Sequence, residues 1–184
     1  MSEVALKLIP LVDNRLLDAT DCTALMFAIG SKKSDVAFAL LDAGMSNPAQ
    51  ANKANNTALI YAMDTIQLDV ATKLISMEDS NPGQANTSGV TALITACFSG
   101  VQDTSRKAEY NTLALALIAT NESNVLQIDR YGQSALYLAL NSNPIMSQVV
   151  DELIPRSQKV FGQISDYGLS LLETPISDGE RDVI

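Results

Sequence analysis

Apolar residues fall in short runs along this chain, and the runs repeat. Thr23-Ala24-Leu25-Met26-Phe27-Ala28 is echoed by Thr57-Ala58-Leu59-Ile60-Tyr61-Ala62 and by Thr91-Ala92-Leu93-Ile94-Thr95-Ala96, at a step of 34 residues both times. A fourth copy, Ser134-Ala135-Leu136-Tyr137-Leu138-Ala139, follows 43 residues later, and a weaker fifth, Ser170-Leu171-Leu172, 36 residues after that. A second run keeps the same rhythm: VAFALL from Val36, VATKLI from Val70, LALALI from Leu113 and VVDELI from Val149. The chain opens with VALKLI from Val4. Each unit is therefore predicted to hold two short helices, and the chain to begin on the second helix of an incomplete unit.

The joints agree with this division. Two residues before each Thr or Ser stands Asp21, Asn55, Gly89, Gly132 or Gly168. These residue types tolerate the positive φ of a tight turn. The Thr or Ser that follows is placed to cap the first helix through its hydroxyl. Ala28, Ala62, Ala96 and Ala139 are small enough to let paired helices approach closely. Asn47-Pro48 and Asn81-Pro82 stop the second helices.

The turn residue, the cap, the apolar pattern and the period together resemble the ankyrin repeat, over roughly residues 4–172. The resemblance implies an all-α solenoid of stacked helix-turn-helix units with short hairpin loops. On that reading residues 1–172 form the solenoid. Its parts are an N-terminal cap (1–17), repeats at 18–51, 52–85, 86–128 and 129–164, and a partial repeat at 165–172. A polar tail fills 173–184. The sequence departs from the family's T-P-L-H-x-A pattern: Ala replaces Pro, and Met26, Ile60, Ile94 and Tyr137 replace His. The family's histidine bonds between units must then be missing, and stability is expected to rest more on apolar stacking. The wording TAL, with Asn-Pro-x-Gln-x-Asn between units, is similar to ankyrin arrays of giant viruses and protist-associated microbes.

Composition narrows the chemistry. The chain has no histidine, no tryptophan and two cysteines. A Ser-His-Asp or Cys-His machine is excluded, as is a zinc site built on imidazole or on four thiolates. No phosphate-binding glycine loop or nucleophile elbow occurs. The adjacent acids Asp151 and Glu152 point apart on a helix, so no enzyme activity and no cofactor are expected. The net charge is −9, from 12 basic and 21 acidic residues, which argues against direct nucleic-acid binding and for a partner with a basic surface. The N-terminus lacks a signal peptide's basic start, and no apolar run is long enough to span a membrane. The expectation is an intracellular, cytoplasmic protein, a monomer when free, with both thiols reduced. Cys97 reads as a buried thiol and Cys22 as a more exposed one, roughly 20 Å away at helix-width spacing.

By the resemblance, contacts come from the hairpin tips and from the exposed side of each first helix, the concave face. The tips are Ala19-Thr20, Lys53-Ala54, Thr87-Ser88 and Arg130-Tyr131. Cys22, Asn56, Val90 and Gln133 precede the caps, and Asp64, Phe98 and Asn141 end the first helices. Arg130 and Tyr131 are candidate anchors, because both types are enriched at interface hot spots. The alternative is a Tyr131 packed on the next hairpin beside a solvated Arg130. Phe98 is either a contact or is packed beneath the segment that follows. The third unit is longer by nine residues, within 99–109, and Arg106 and Lys107 there make the densest basic pair. That segment is expected to be a protruding contact loop, or else a tolerated insertion. The candidate contact set is Lys53, Phe98, Arg106, Lys107, Arg130, Tyr131 and Gln133.

Three functions fit. The first is a protein-binding module acting as adaptor, scaffold or inhibitor. The second is a structural subunit of a virion or homo-oligomer, docking through apolar patches such as Val160, Phe161, Ile164, Tyr167 and Leu169. The third is an acidic decoy for a nucleic-acid-binding protein, whose binding would collapse with salt.

Overall fold

The computed structural model describes residues 2–11, 13, 16–44, 46–120, 123–142 and 144–165. The partial repeat beyond 165, the tail, Tyr167 and Leu169 lie outside the described residues, and of Val160, Phe161 and Ile164 only the backbone is described. The first helices are α2 (Ala24–Gly30), α4 (Ala58–Asp64), α6 (Ala92–Gln102) and α8 (Ala135–Asn141). The second helices are α3 (Ser34–Asp42), α5 (Leu68–Ile75), α7 (Lys107–Ala119) and α9 (Ser147–Ser165), preceded by α1 (Ser2–Leu8). Helix α2 packs on α4, α4 on α6 and α6 on α8, while α1, α3, α5, α7 and α9 form the second layer in the same order. Helix α1 thus occupies the place of a second helix, as the sequence predicts. Among the described residues β pairing is confined to isolated bridges, Leu17 with Thr23 and Ile128 with Ser134.

Each first helix starts for a local reason. Thr23, Thr57, Thr91 and Ser134 have extended backbones, and their hydroxyls accept the N–H groups of Met26, Ile60, Ile94 and Tyr137. The residue two before each cap is left-handed: φ is 61° at Asp21, 58° at Asn55, 75° at Gly89 and 76° at Gly132. Behind each turn an Asx side chain gathers the loop. One Oδ1 of Asp18, Asn52, Asn86 or Asp129 accepts the backbone N–H groups two and four residues on, at 2.8–3.0 Å. The stacked hairpins share one backbone bond per junction: Lys53 N–H to Thr20 O, Thr87 N–H to Ala54 O and Arg130 N–H to Ser88 O, at 2.9–3.0 Å.

The loops after the second helices are built alike. Asn47, Asn81 and Asn124 have positive φ, and their amides donate to Gln50, Gln84 and Gln127 at 3.2–3.3 Å. Each Gln then donates to the carbonyl of the next residue.

One continuous core runs from Ile9 to Leu153. Leu25, Leu59 and Leu93 are fully buried at equivalent positions, each worth about 2 kcal/mol by area. Ala28, Ala62, Ala96 and Ala139 are buried between the layers. The units are also tied by polar bonds. Gln67 donates to Ile29 O and accepts from Ser34, and Asn86 donates to Asn56 Oδ1 at 3.0 Å. The missing histidines are therefore partly replaced by amide side chains.

The third unit corrects an expectation. Its added length forms helix, not a protruding loop: α6 has 11 residues against 7 in α4, and α7 has 13 against 8 in α5. A 3-10 turn, Thr104–Arg106, joins them. The segment joins the core because Tyr110 of α7 is fully buried. Gly100 of α6 lies so close that a Cβ there would meet Met146 Sδ at 3.1 Å and Tyr110 Cβ at 3.6 Å. Helix α9 likewise runs through Pro155, which the predicted run VVDELI stops short of.

Gly89 and Gly132 separate two costs of a side chain in the hairpins. A Cβ on Gly89 would lie 2.5 Å from Ile128 O, while one on Gly132 meets nothing within 4 Å. Gly132→Ala is expected to cost about 1–2 kcal/mol, the left-handed backbone penalty alone. Gly89→Ala should cost clearly more, because the next hairpin must shift. Urea unfolding of the two variants checks the order.

Candidate functional site

The hairpins and the first helices that leave them form one face. Tyr131, at the tip of the last described hairpin, is 71% exposed, so it does not pack on the hairpin before it. Arg130 Nη2 donates to Tyr131 Oη at 2.8 Å, and the guanidinium carbon lies 4.9 Å from the ring centroid. The pair is one exposed unit, joined by that bond and by the ring contact. Gln133 closes its hairpin by backbone alone, exchanging bonds with Asp129. Lys53 is exposed, and its ammonium donates to Ala19 O at 2.7 Å, which ties its own hairpin to the preceding one.

Phe98 is 47% exposed on α6, not packed beneath the segment that follows. The structure adds Phe27 of α2, which is 54% exposed and absent from the candidate contact set. Its signal was present in the sequence: Leu25 and Ile29 are both buried, so a helix turns the residue between them outward. Phe27, Phe98 and Tyr131 therefore stand exposed on the hairpin and first-helix side, together with Ile128, Tyr137 and Leu140 toward the last described unit.

Arg106 and Lys107 do not join this group. They lie at the end of α6 farthest from its hairpin, about 16 Å along an 11-residue helix. Arg106 pairs with Glu109 at 2.8 Å. The Lys107 ammonium is tucked out of solvent with no hydrogen-bond partner among the described residues, and desolvation lowers its pKa. Neither projects from a loop, as the sequence reading expected.

Three titratable groups on the first helices are perturbed, each mainly by desolvation. Tyr61 is half-buried. Its phenol is raised by burial and then by neighbouring Cys22, while Asn52 Nδ2 bonds both Tyr61 Oη at 3.2 Å and Cys22 Sγ at 3.4 Å. The Asp64 carboxyl is reachable by solvent yet set among enough protein that desolvation raises its pKa. Burial pushes the Cys97 thiol up to about 12. Among the described residues no group of three or more Cys, Asp or Glu is placed to hold a metal ion, and no helix is long and apolar enough to cross a membrane. The arrangement offers aromatic, cationic and anionic contacts on a rigid frame.

No protein-family model matches the chain, and no curated protein does. Solved structures do. An ankyrin repeat domain from Acinetobacter baumannii AYE superposes with a TM-score of 0.64 at 21% identity, over 80% of this chain and 71% of that one. Another ankyrin repeat protein reaches a TM-score of 0.45 at 20% identity, over 82% of this chain and 88% of that one, too loose to define a shared fold. The chain has the ankyrin-repeat fold.

The two free thiols should separate by reactivity. With a thiol reagent at neutral pH, half-buried Cys22 is expected to label in the folded protein. Cys97, with its pKa near 12, should label only on unfolding. Mass spectrometry of native and urea-treated samples reads this directly.

Proposed function

We propose that this chain is a non-enzymatic protein-binding module, an intracellular adaptor, scaffold or inhibitor that holds a partner protein on its hairpin and first-helix face. The observation that carries the reading is the exposure of Phe27, Phe98 and Tyr131 on that face. Aromatic side chains exposed on a rigid frame bring large contact area at low ordering cost. The fold's neighbours fit a binding role, since stacked repeats present extended surfaces. The Arg130–Tyr131 unit adds a preformed polar anchor. The partner is another protein, met in a compartment that keeps Cys22 reduced.

The test uses a triple variant, Phe27→Ala, Phe98→Ala, Tyr131→Ala. Tyr131 is largely exposed and Phe27 and Phe98 are about half exposed, so helicity should hold while Tm falls modestly. A partner cross-linked to the wild type and identified by mass spectrometry is expected to bind the variant at least about 30-fold more weakly, as loss of a hot spot does. Unchanged affinity would remove the reading.

A specific observation favours a second reading, end-to-end assembly. Tyr137 is 51% exposed, although Met26, Ile60 and Ile94 at the equivalent position are buried, and Leu140 is exposed where Ile29, Met63 and Cys97 are buried. Val4 and Leu16 are exposed at the other end. One end docking on the other would make an open, head-to-tail contact. Light scattering after size exclusion should then give a mass that rises with concentration, and a constant monomer mass excludes it.

A further inference from the structure

Four residues form a square on the hairpin and first-helix face. Phe27 and Gly30 lie three apart on α2, and Tyr61 and Asp64 three apart on α4. That spacing sets each pair side by side along its helix. The two pairs are 34 residues apart, one repeat step, so they stand in register across the packed helices. The register is visible in the structure, where a Cβ on Gly30 would sit 3.9 Å from the Tyr61 ring. With no side chain at Gly30, the square has a recess in one corner. The Tyr61 ring borders it, and the register sets Phe27 and Asp64 at the adjoining corners. Phe98 is the residue equivalent to Asp64 in the next unit, so aromatic surface continues beyond it.

Asp64 is the unsatisfied member. Its carboxylate makes no hydrogen bond or salt bridge among the described residues, whereas Asp18 and Asp129 of the same face each cap their own hairpin loop. Lys32 and Lys33 follow in the exposed turn after Gly30, and neither pairs with Asp64; elsewhere on this face acids outnumber bases. The hairpins and first helices carry Asp18, Asp21, Asp64 and Asp129 against Lys53 and Arg130, and both of those cations are already engaged. A carboxylate beside aromatic rings is complementary to a cation with an apolar stem, through charge at one end and ring faces along the length.

We propose that the recess at Gly30, bounded by Phe27, Tyr61 and Asp64, receives a lysine or arginine side chain from a basic segment of the bound partner. The inference rests on the reading of this face as the binding face and adds the chemistry of its occupant. It also assigns a cost. The Asp64 carboxyl titrates above its usual range because its charged form is poorly solvated. The folded state therefore gains from a protonated Asp64 at low pH and loses that gain as pH rises through the raised pKa. At neutral pH the free protein carries the penalty, and a bound cation relieves it.

Asp64→Asn, isosteric and uncharged, tests both halves. A structural carboxylate would leave the variant less stable. Here its Tm is expected above that of the wild type at pH 7, with the gap closing toward pH 3. A displayed library of random short peptides, selected on the wild type, should yield sequences with lysine or arginine. A labelled peptide from that set should bind Asp64→Asn roughly tenfold or more weakly by fluorescence anisotropy, and it should shift the amide signals of Gly30 and Asp64. Peptides that shift this face but lack a cation, or that bind Asp64→Asn equally well, overturn the proposal and leave the binding face standing. Peptides that map to α3, α5 or α7 overturn both. A library that enriches nothing overturns the cation site, and the aromatic triple variant then decides the wider reading.

Discussion

A helix of seven residues makes less than two turns, and nucleation costs more than its few hydrogen bonds return in water. Helices α2, α4 and α8 are of that length. They exist because each is held at its start and covered on its sides. The start is held by the left-handed turn residue, the capping hydroxyl and the Asx side chain, and the turn is then bonded to the hairpin before it. The cover comes from the neighbouring unit. A unit cannot complete its own core, so cohesion passes from neighbour to neighbour, and Lys53, Thr87 and Arg130 donate one backbone bond each at successive joints.

Much of this was legible in the sequence. The 34-residue step and the two apolar runs per unit gave the helices, because burial of one face imposes a period on both. Asp21, Asn55, Gly89 and Gly132 gave the turns, because few residue types tolerate positive φ. The third unit was misjudged for a physical reason. A polar stretch such as Gln102-Asp103-Thr104-Ser105-Arg106 reads the same whether it forms a loop or the joint between two lengthened helices. What decides is the burial of Tyr110 and the approach of Met146 to Gly100, both long-range contacts. The exposed hairpin and first-helix face was half legible. Tyr131 and Phe98 were visible as types at exposed positions. The square around Gly30 was not, because it depends on two helices meeting in register.

The Asx position shows how the units divide labour without histidine. Asn52 and Asn86 stand where the preceding unit offers an acceptor, Cys22 Sγ and Asn56 Oδ1, and each uses its amide N–H for that bond. In the next unit the corresponding position of the preceding hairpin is Val90, whose side chain offers no acceptor, and there the chain carries Asp129. At the first hairpin it carries Asp18, whose carboxyl is held low chiefly by the Thr20 hydroxyl and then by the Cys22 N–H. All four side chains gather their own turn with one oxygen. Only the two amides also reach backward, so the choice of Asn or Asp follows from what the previous unit presents.

The lengthened third unit bears on the proposed binding face from behind. Among the described elements α6 and α7 pack most extensively on each other, and α6 also meets α4 and α8. Phe98 projects from the middle of α6, one residue after fully buried Cys97 and two before buried Gly100. Its backbone is fixed by packing on the opposite side of the helix. Ordering such a residue on binding costs little beyond its own rotamer freedom. Phe27 is mounted on a shorter helix in the first full unit, braced by α3, α4 and the left-handed turn at Asp21. The face therefore grades from a stiff centre at α6 toward an end held by fewer neighbours. On the function proposed above, a partner segment anchored at Phe98 would meet the better-braced part first, with Gly30 toward the end held by fewer neighbours.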